Sequence, residues 1–202
     1  MVDNWKYFAD KLNFTNPTKF YLVQLQQRKK DDESFSANNR TIKSYFINTR
    51  EEFLALESEI KKLSDETKSR VYIRLNRRSF EDVALQVNKD LAQMLQDRNF
   101  QHLKSLVPSA AGNVCSEKKE DRLWLIDIDD MSYFDKVIDF LFGIDPGIFE
   151  DTIETLHGVH IITHKFDSKL FKEKFPNIDL HKDNPTLLYF NPDAHRSNKT
   201  TE

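Results

Sequence analysis

Within residues 19–27 (KFYLVQLQQ), Tyr21, Val23 and Leu25 recur at every second position. In a stretch rich in aromatic and β-branched residues, this alternation predicts a strand. Residues 41–47 repeat the pattern, so 19–47 predicts a β-hairpin whose polar connection, RKKDDESFSANNR (28–40), reads as a mobile loop. Helical spacing appears elsewhere. Trp5, Phe8 and Leu12 predict a short helix over 3–13, broken by Pro17. Thr49 followed by Glu52 is a capping box, opening a helix to about Ser64 with Phe53, Leu56, Ile60 and Leu63 inward. VYIRL (71–75) predicts a strand that runs into Asn76, Arg77 and Arg78. Ser79 then caps a helix to about Gln96, with Phe80, Val83, Val87, Leu91, Met94 and Leu95 as its inner stripe. Residues 99–122, with Pro108, Gly112 and the run EKKEDR, read as a linker with partial helix.

The second half opens on LWLIDIDD (123–130), an apolar, β-prone run that ends in acids. A helix is predicted over 131–142 with Gly143 as its stop, and Asp145–Pro146 starts another to about Leu156. After a His157–Gly158 turn, VHIIT (159–163) is a strand. Asp167 caps a short helix stopped by Pro176, residues 177–179 lead into a turn, and TLLYF (186–190) is the last strand. The fold class expected is α/β in the α+β sense: a mixed sheet flanked by helices. Residues 1–69 are expected to form an N-terminal α/β subdomain or layer, 70–190 the core, and 191–202 a flexible tail.

Composition narrows this picture. The chain has 202 residues, enough for one domain with a sizeable core. Its formal net charge of −3 excludes a globally basic nucleic-acid binder, so any such contact needs a local patch. Cys115 is the single cysteine, which rules out an internal disulfide framework and fits a reducing compartment. No apolar run approaches the roughly 20 residues of a membrane span, and the N-terminus lacks a signal-peptide core. The expectation is a soluble cytoplasmic protein with no membrane partner.

Candidate chemistry sits at the end of the acidic strand. Residues two apart in a strand share a face, so Asp127 and Asp129 converge while Ile128 points into the core. Adjacent carboxylates repel unless a cation lies between them, and Mg²⁺ commonly takes one or two carboxylates together with substrate phosphates. The competing reading is a solvated acidic turn. Asp130 reads as the N-cap of the next helix. Arg77 and Arg78, at a strand-to-helix turn, suit an anion, because guanidinium forks and helix N–H groups both fit phosphate.

Asp127-Ile128-Asp129, then Gly158-Val159-His160, then Ile178-Asp179 follow one another in an order that resembles the archaeo-eukaryotic primase superfamily, including primase-polymerases. The chain also resembles short uncharacterised phage proteins with a similar Asn-Arg-Arg turn, Asp-x-Asp, Gly-x-His-x-x-Thr and Asn-Pro-Thr-Leu-Leu-Tyr. The resemblance covers roughly residues 70–190 and implies a primase-polymerase-like core, phage-encoded and active in DNA replication within the host cytoplasm. It implies that Asp127, Asp129 and Asp179 are catalytic carboxylates holding Mg²⁺ or Mn²⁺, and that His160 contacts the phosphates of a nucleoside triphosphate, with DNA or RNA as the other partner. Arg77, Arg78, Lys165 and Lys182 are further candidates to offset triphosphate charge, and His164 and His181 lie near enough in sequence to join them. Two other readings stay open: a metal-dependent nuclease using the same carboxylates, and an inactive nucleotide- or nucleic-acid-binding accessory protein.

Overall fold

In the computed structural model, residues 1–31 and 39–195 are described. The elements are β1 (Val2–Asp3), α1 (Trp5–Lys11), β2 (Lys19–Arg28), β3 (Asn39–Ile47), α2 (Arg50–Ala55), α3 (Glu57–Thr67), β4 (Arg70–Arg74), β5 (Arg78–Ser79), α4 (Phe80–Asp97) and α5 (Leu106–Asn113). The second half adds β6 (Trp124–Ile128), α6 (Phe134–Ile144), β7 (Phe149–Glu154), β8 (Val159–Thr163), α7 (Ser168–Lys174), β9 (Asp179–His181) and β10 (Pro185–Phe190). Much of the loop expected over 28–40, and the tail from residue 196 on, lie outside the described residues.

The caps explain several boundaries. The Thr49 hydroxyl accepts from the Glu52 N–H at 3.1 Å, Ser79 from Asp82 at 3.0 Å, and Asp167 from Lys169 at 2.9 Å, each satisfying an orphan donor of a first turn. The helix predicted from Thr49 to Ser64 is kinked at Leu56, which stays right-handed (φ −83°, ψ −10°) between α2 and α3. Two expectations fail. Gly143 lies inside α6 rather than ending it. The helix expected after Asp145–Pro146 is one 3₁₀ turn, Pro146–Ile148, followed by strand β7, because FEDTIE pairs along β8.

The single mixed sheet expected from the sequence is instead two antiparallel sheets in an α+β fold with seven α-helices among the described residues. The first sheet runs β1-β10-β4-β2-β3, with β5 added at the start of β2; the second runs β7-β8-β6-β9. β10, from the second half of the chain, lies between β1 and β4, so strands from residues 1–69 and from 70–190 share the first sheet.

The alternation along β6 sorts the core. Trp124, Ile126 and Ile128 face α6 and α7 with Val137, Phe140, Leu141 and Phe171. Leu125 faces the other way and joins Ile153 and Ile162 in the main core, with Trp5, Phe8, Val23, Phe53, Val71 and Ile73. Side chains of about this size each contribute about 1.5–3 kcal/mol when fully buried. The sheets are also tied through Asn76, whose amide accepts from the Leu123 N–H at 2.8 Å and donates to the Leu123 carbonyl at 2.9 Å. No described helix is long and apolar enough to cross a membrane.

Candidate active site

β6 is central in its sheet, and its last residues carry the acids. Asp127 lies opposite His160 of β8 on one side and Asp179 of β9 on the other. Directly opposed residues in antiparallel strands share a face with Cβ atoms about 4.5–5.5 Å apart. Asp127, His160 and Asp179 therefore form one row across three strands, and Asp129 continues the same face just past the strand end. Asp179 belongs to β9, where the sequence suggested a turn. His181, two residues on, faces Leu125 and stands beside the row.

His160 is held at both ring nitrogens. Nε2 is 3.3 Å from Asp127 Oδ1, and Nδ1 is 2.8 Å from the buried Thr186 hydroxyl of β10. A carboxylate only accepts, so Nε2 carries the proton; in the neutral ring Nδ1 then accepts from Thr186. The hydrogen bond from His160 holds the Asp127 carboxyl below the usual carboxylate range. Burial works against it, while the nearby charges of His160, His181 and Lys30 add to it. The β7–β8 turn is pressed onto the end of β6: a Cβ at Gly158 would lie 1.9 Å from the Ile128 carbonyl oxygen, so only glycine fits. Asp130 accepts from the Ser132 N–H at 2.9 Å and caps the following 3₁₀ turn, as its position suggested.

Asp127 and Asp129 stand in the wall between two cavities. One, of about 230 Å³, is lined by Asp127, Asp129, Asp130, Tyr133, Asn177 and Asp179. The other, of about 150 Å³, sets Asp127, Asp129, His157 and His160 of the second sheet against Arg28, Lys30, Arg70 and Tyr72 of the first. Arg28 donates to the Tyr72 hydroxyl at 3.0 Å, which leaves its charge uncompensated by that contact. Arg70 is different, because Asp31 takes its guanidinium bidentately at 2.7 and 2.5 Å. Comparison of the chain with protein-family models, curated proteins and solved structures found no match.

The donor set decides which metal suits the row. Among the described residues, no group of three or more His, Cys, Asp and Glu side chains is gathered closely enough to hold an ion unaided. Mg²⁺ does not require one, since it is commonly bound by one or two carboxylates plus waters and substrate phosphates. Carboxylates beside open cavity space fit that hard cation and Mn²⁺; a thiolate metal would find no ligand here.

The other expected residues lie elsewhere. Arg78 is fully buried: it donates to Asp183 at 2.5 Å, to the Ala111 carbonyl at 3.0 Å and to the Asn76 carbonyl. Arg77 bonds Glu117 at 2.5 Å and the Asn13 carbonyl at 3.1 Å. Both sit by Lys19 and Phe20, at the opposite end of β2 from Arg28, where they brace the strand through the protein's own carboxylates, Glu117 and Asp183. Lys182 lies over the Trp124 ring at 5.0 Å, beside the helix-covered face of the sheet rather than the acid row. Lys165 is exposed beyond the far end of β8. His164 pairs there with Glu150 at 3.3 Å. Arg28, Lys30 and His157, which line a cavity with Asp127 and Asp129, Thr186, which bonds His160, and Lys172, 3.8 Å from Asp179, all escaped sequence reasoning. Only the basic run Arg28-Lys29-Lys30 at a strand end was a visible signal.

Proposed function

We propose that this protein carries out metal-dependent nucleotidyl transfer, joining a nucleoside triphosphate to a nucleic-acid strand in a primase-polymerase-like core. One observation carries the reading: a carboxylate pair, Asp127 and Asp129, stands between an acidic cavity and one rimmed by Arg28, Lys30 and His160. Phosphoryl transfer asks a protein mainly for positioning and charge neutralisation, and acids for a cation beside cations for phosphates meet that demand.

Asp127, Asp129 and Asp179 are the residues that would hold Mg²⁺ or Mn²⁺. When bound, the ion activates the attacking hydroxyl and stabilises the leaving oxygen. Arg28 and Lys30 bind the polyphosphate from the first sheet. His160 cannot give its Nε2 proton to Asp127 and to a phosphate at once, so nucleotide binding exchanges the first contact for the second. The Thr186 hydroxyl holds the ring in place at Nδ1 throughout.

The test is incorporation of labelled nucleoside triphosphates on a primed template with Mn²⁺ or Mg²⁺. Wild type extends the primer, and Asp129→Ala lowers the rate at least ~100-fold, as expected when charge stabilisation at the transferred group is lost. Loss of the labelled strand without added triphosphate assigns hydrolysis instead. Nucleotide binding without either reaction assigns an accessory role.

A further inference from the structure

We infer that the face of the first sheet left open by α4 and α5, leading away from the carboxylates, is a track for a single strand of nucleic acid. The inference rests on the nucleotidyl-transfer reading only for what happens at the track's end; the track itself rests on separate residues. Phe20, Leu22, Gln24, Gln26 and Arg28 alternate onto one face of β2. The first two are buried under α4 and α5, with Val83, Ala110 and Ala111. From Gln24 onward the helices no longer cover the sheet and the face turns polar. Ser44 and Thr41 lie beside Gln24 and Gln26 on β3, and Tyr72 and Arg70 lie beside them on β4.

A groove of about 390 Å³ opens there, between Gln24, Thr41 and Ser44 on the sheet side and Lys104, Ser105 and Ser109 on the helix side. Lys43 contributes only its backbone, because its ammonium pairs with Glu59 on the other face. Among the described residues no acid lines this groove, although the chain carries 33 Asp and Glu. From Gln24 the same face reaches Arg28, four residues or about 13 Å along β2, where the basic cavity and its acids begin. The chemistry suits a nucleic-acid strand. Hydroxyls and Lys104 serve phosphates, while the Gln24 amide, whose Nε2 donates to the Ser44 hydroxyl at 3.1 Å, keeps its oxygen and second N–H for unpaired base edges. A described lining without acids favours a polyanion over an acidic-and-basic peptide, and the remaining donor and acceptor of the Gln24 amide suit a strand whose bases are open.

The test is fluorescence anisotropy of the full chain with a labelled oligothymidylate and with a duplex, across a salt series. Wild type binds the strand more tightly than the duplex. Lys104→Glu and the isosteric Gln24→Glu each weaken strand binding about tenfold or more, and Lys104→Glu reduces the log–log salt slope by about 0.7. Lys104 is exposed, so an unchanged Tm confirms that its variant is folded. Both variants retain the Mn²⁺–nucleotide thermal shift of wild type. The track is overturned if wild type does not bind the strand, if neither substitution weakens binding, or if duplex binds as tightly. If the two variants lose strand binding while wild type shows no Mn²⁺–nucleotide shift, the track stands and the nucleotidyl-transfer reading falls.

Discussion

Asp127 is the acid of the row that pairs with His160, and its titration carries a sign. Its folded carboxyl is held below the usual range by His160, so it contributes stability above the unfolded value of about 3.9 that is lost as pH falls below it. In urea titrations at about pH 5 and about pH 3, wild type therefore loses more stability than Asp127→Asn; equal losses contradict the pairing. The arginines separate in the opposite sense from their sequence reading. Arg78 is fully buried, bonding Asp183 and the Ala111 and Asn76 carbonyls, so Arg78→Met costs about 3 kcal/mol by leaving both carbonyls unpaired and Asp183 with only Arg74 and Asn76, yet retains the nucleotide-dependent thermal shift. Arg28→Ala leaves the urea midpoint nearly unchanged and weakens triphosphate binding, as measured by isothermal titration. The convergence of Asp127 and Asp129 was legible because strand alternation is local. Arg77 and Arg78 were misread because a sequence displays charge but not burial, and the Asp183 partner of Arg78 lies 105 residues away.

At the level of elements, the turn joining β7 to β8 is the feature most sensitive to a single atom. A Cβ at Gly158 would meet the Ile128 carbonyl at 1.9 Å, so Gly158→Ala pushes the turn off β6. The expected cost is about 3 kcal/mol, in the range of overpacking, together with weaker nucleotide binding, because His157 and Asp129 line the same cavity. Differential scanning calorimetry and nucleotide titration of the variant check both effects; an unchanged Tm contradicts the close approach. Most strands were legible from two-residue alternation, and the caps Thr49, Ser79 and Asp167 from their side-chain type. β7 was not legible. Phe149 and Ile153 stand four apart, as on a helix, and follow Asp145–Pro146, a helix-start signal; pairing with β8 overrides that local signal. α4 shows the complementary failure. Its apolar stripe is real, but Val83 alone is buried and Leu95 is 59% exposed, since periodicity names a face without naming what covers it.

Across the whole molecule, the site exists because two sheets meet edge and face. The second supplies the acids and His160, while the first supplies Arg28, Lys30 and the Thr186 hydroxyl that fixes the His160 ring. That meeting was not legible in the sequence: β10 returns from the end of the chain to lie between β1 and β4, a long-range pairing that places Thr186 beside His160. The net charge of −3 is likewise uninformative until the fold arranges it into one cavity lined by acids and one in which the same acids face Arg28 and Lys30. A ligand that bridges both cavities binds only the folded state and must raise its stability. The decisive measurement is a thermal-shift titration of wild type and Asp129→Ala with Mn²⁺, nucleoside triphosphate, and both together. At ligand about 100-fold above Kd the stabilisation is about 2.7 kcal/mol, or roughly 5–10 °C for a chain of this length. The account predicts that shift in wild type with both ligands present and its loss in Asp129→Ala. A wild-type Tm that neither Mn²⁺ nor nucleotide moves would contradict it.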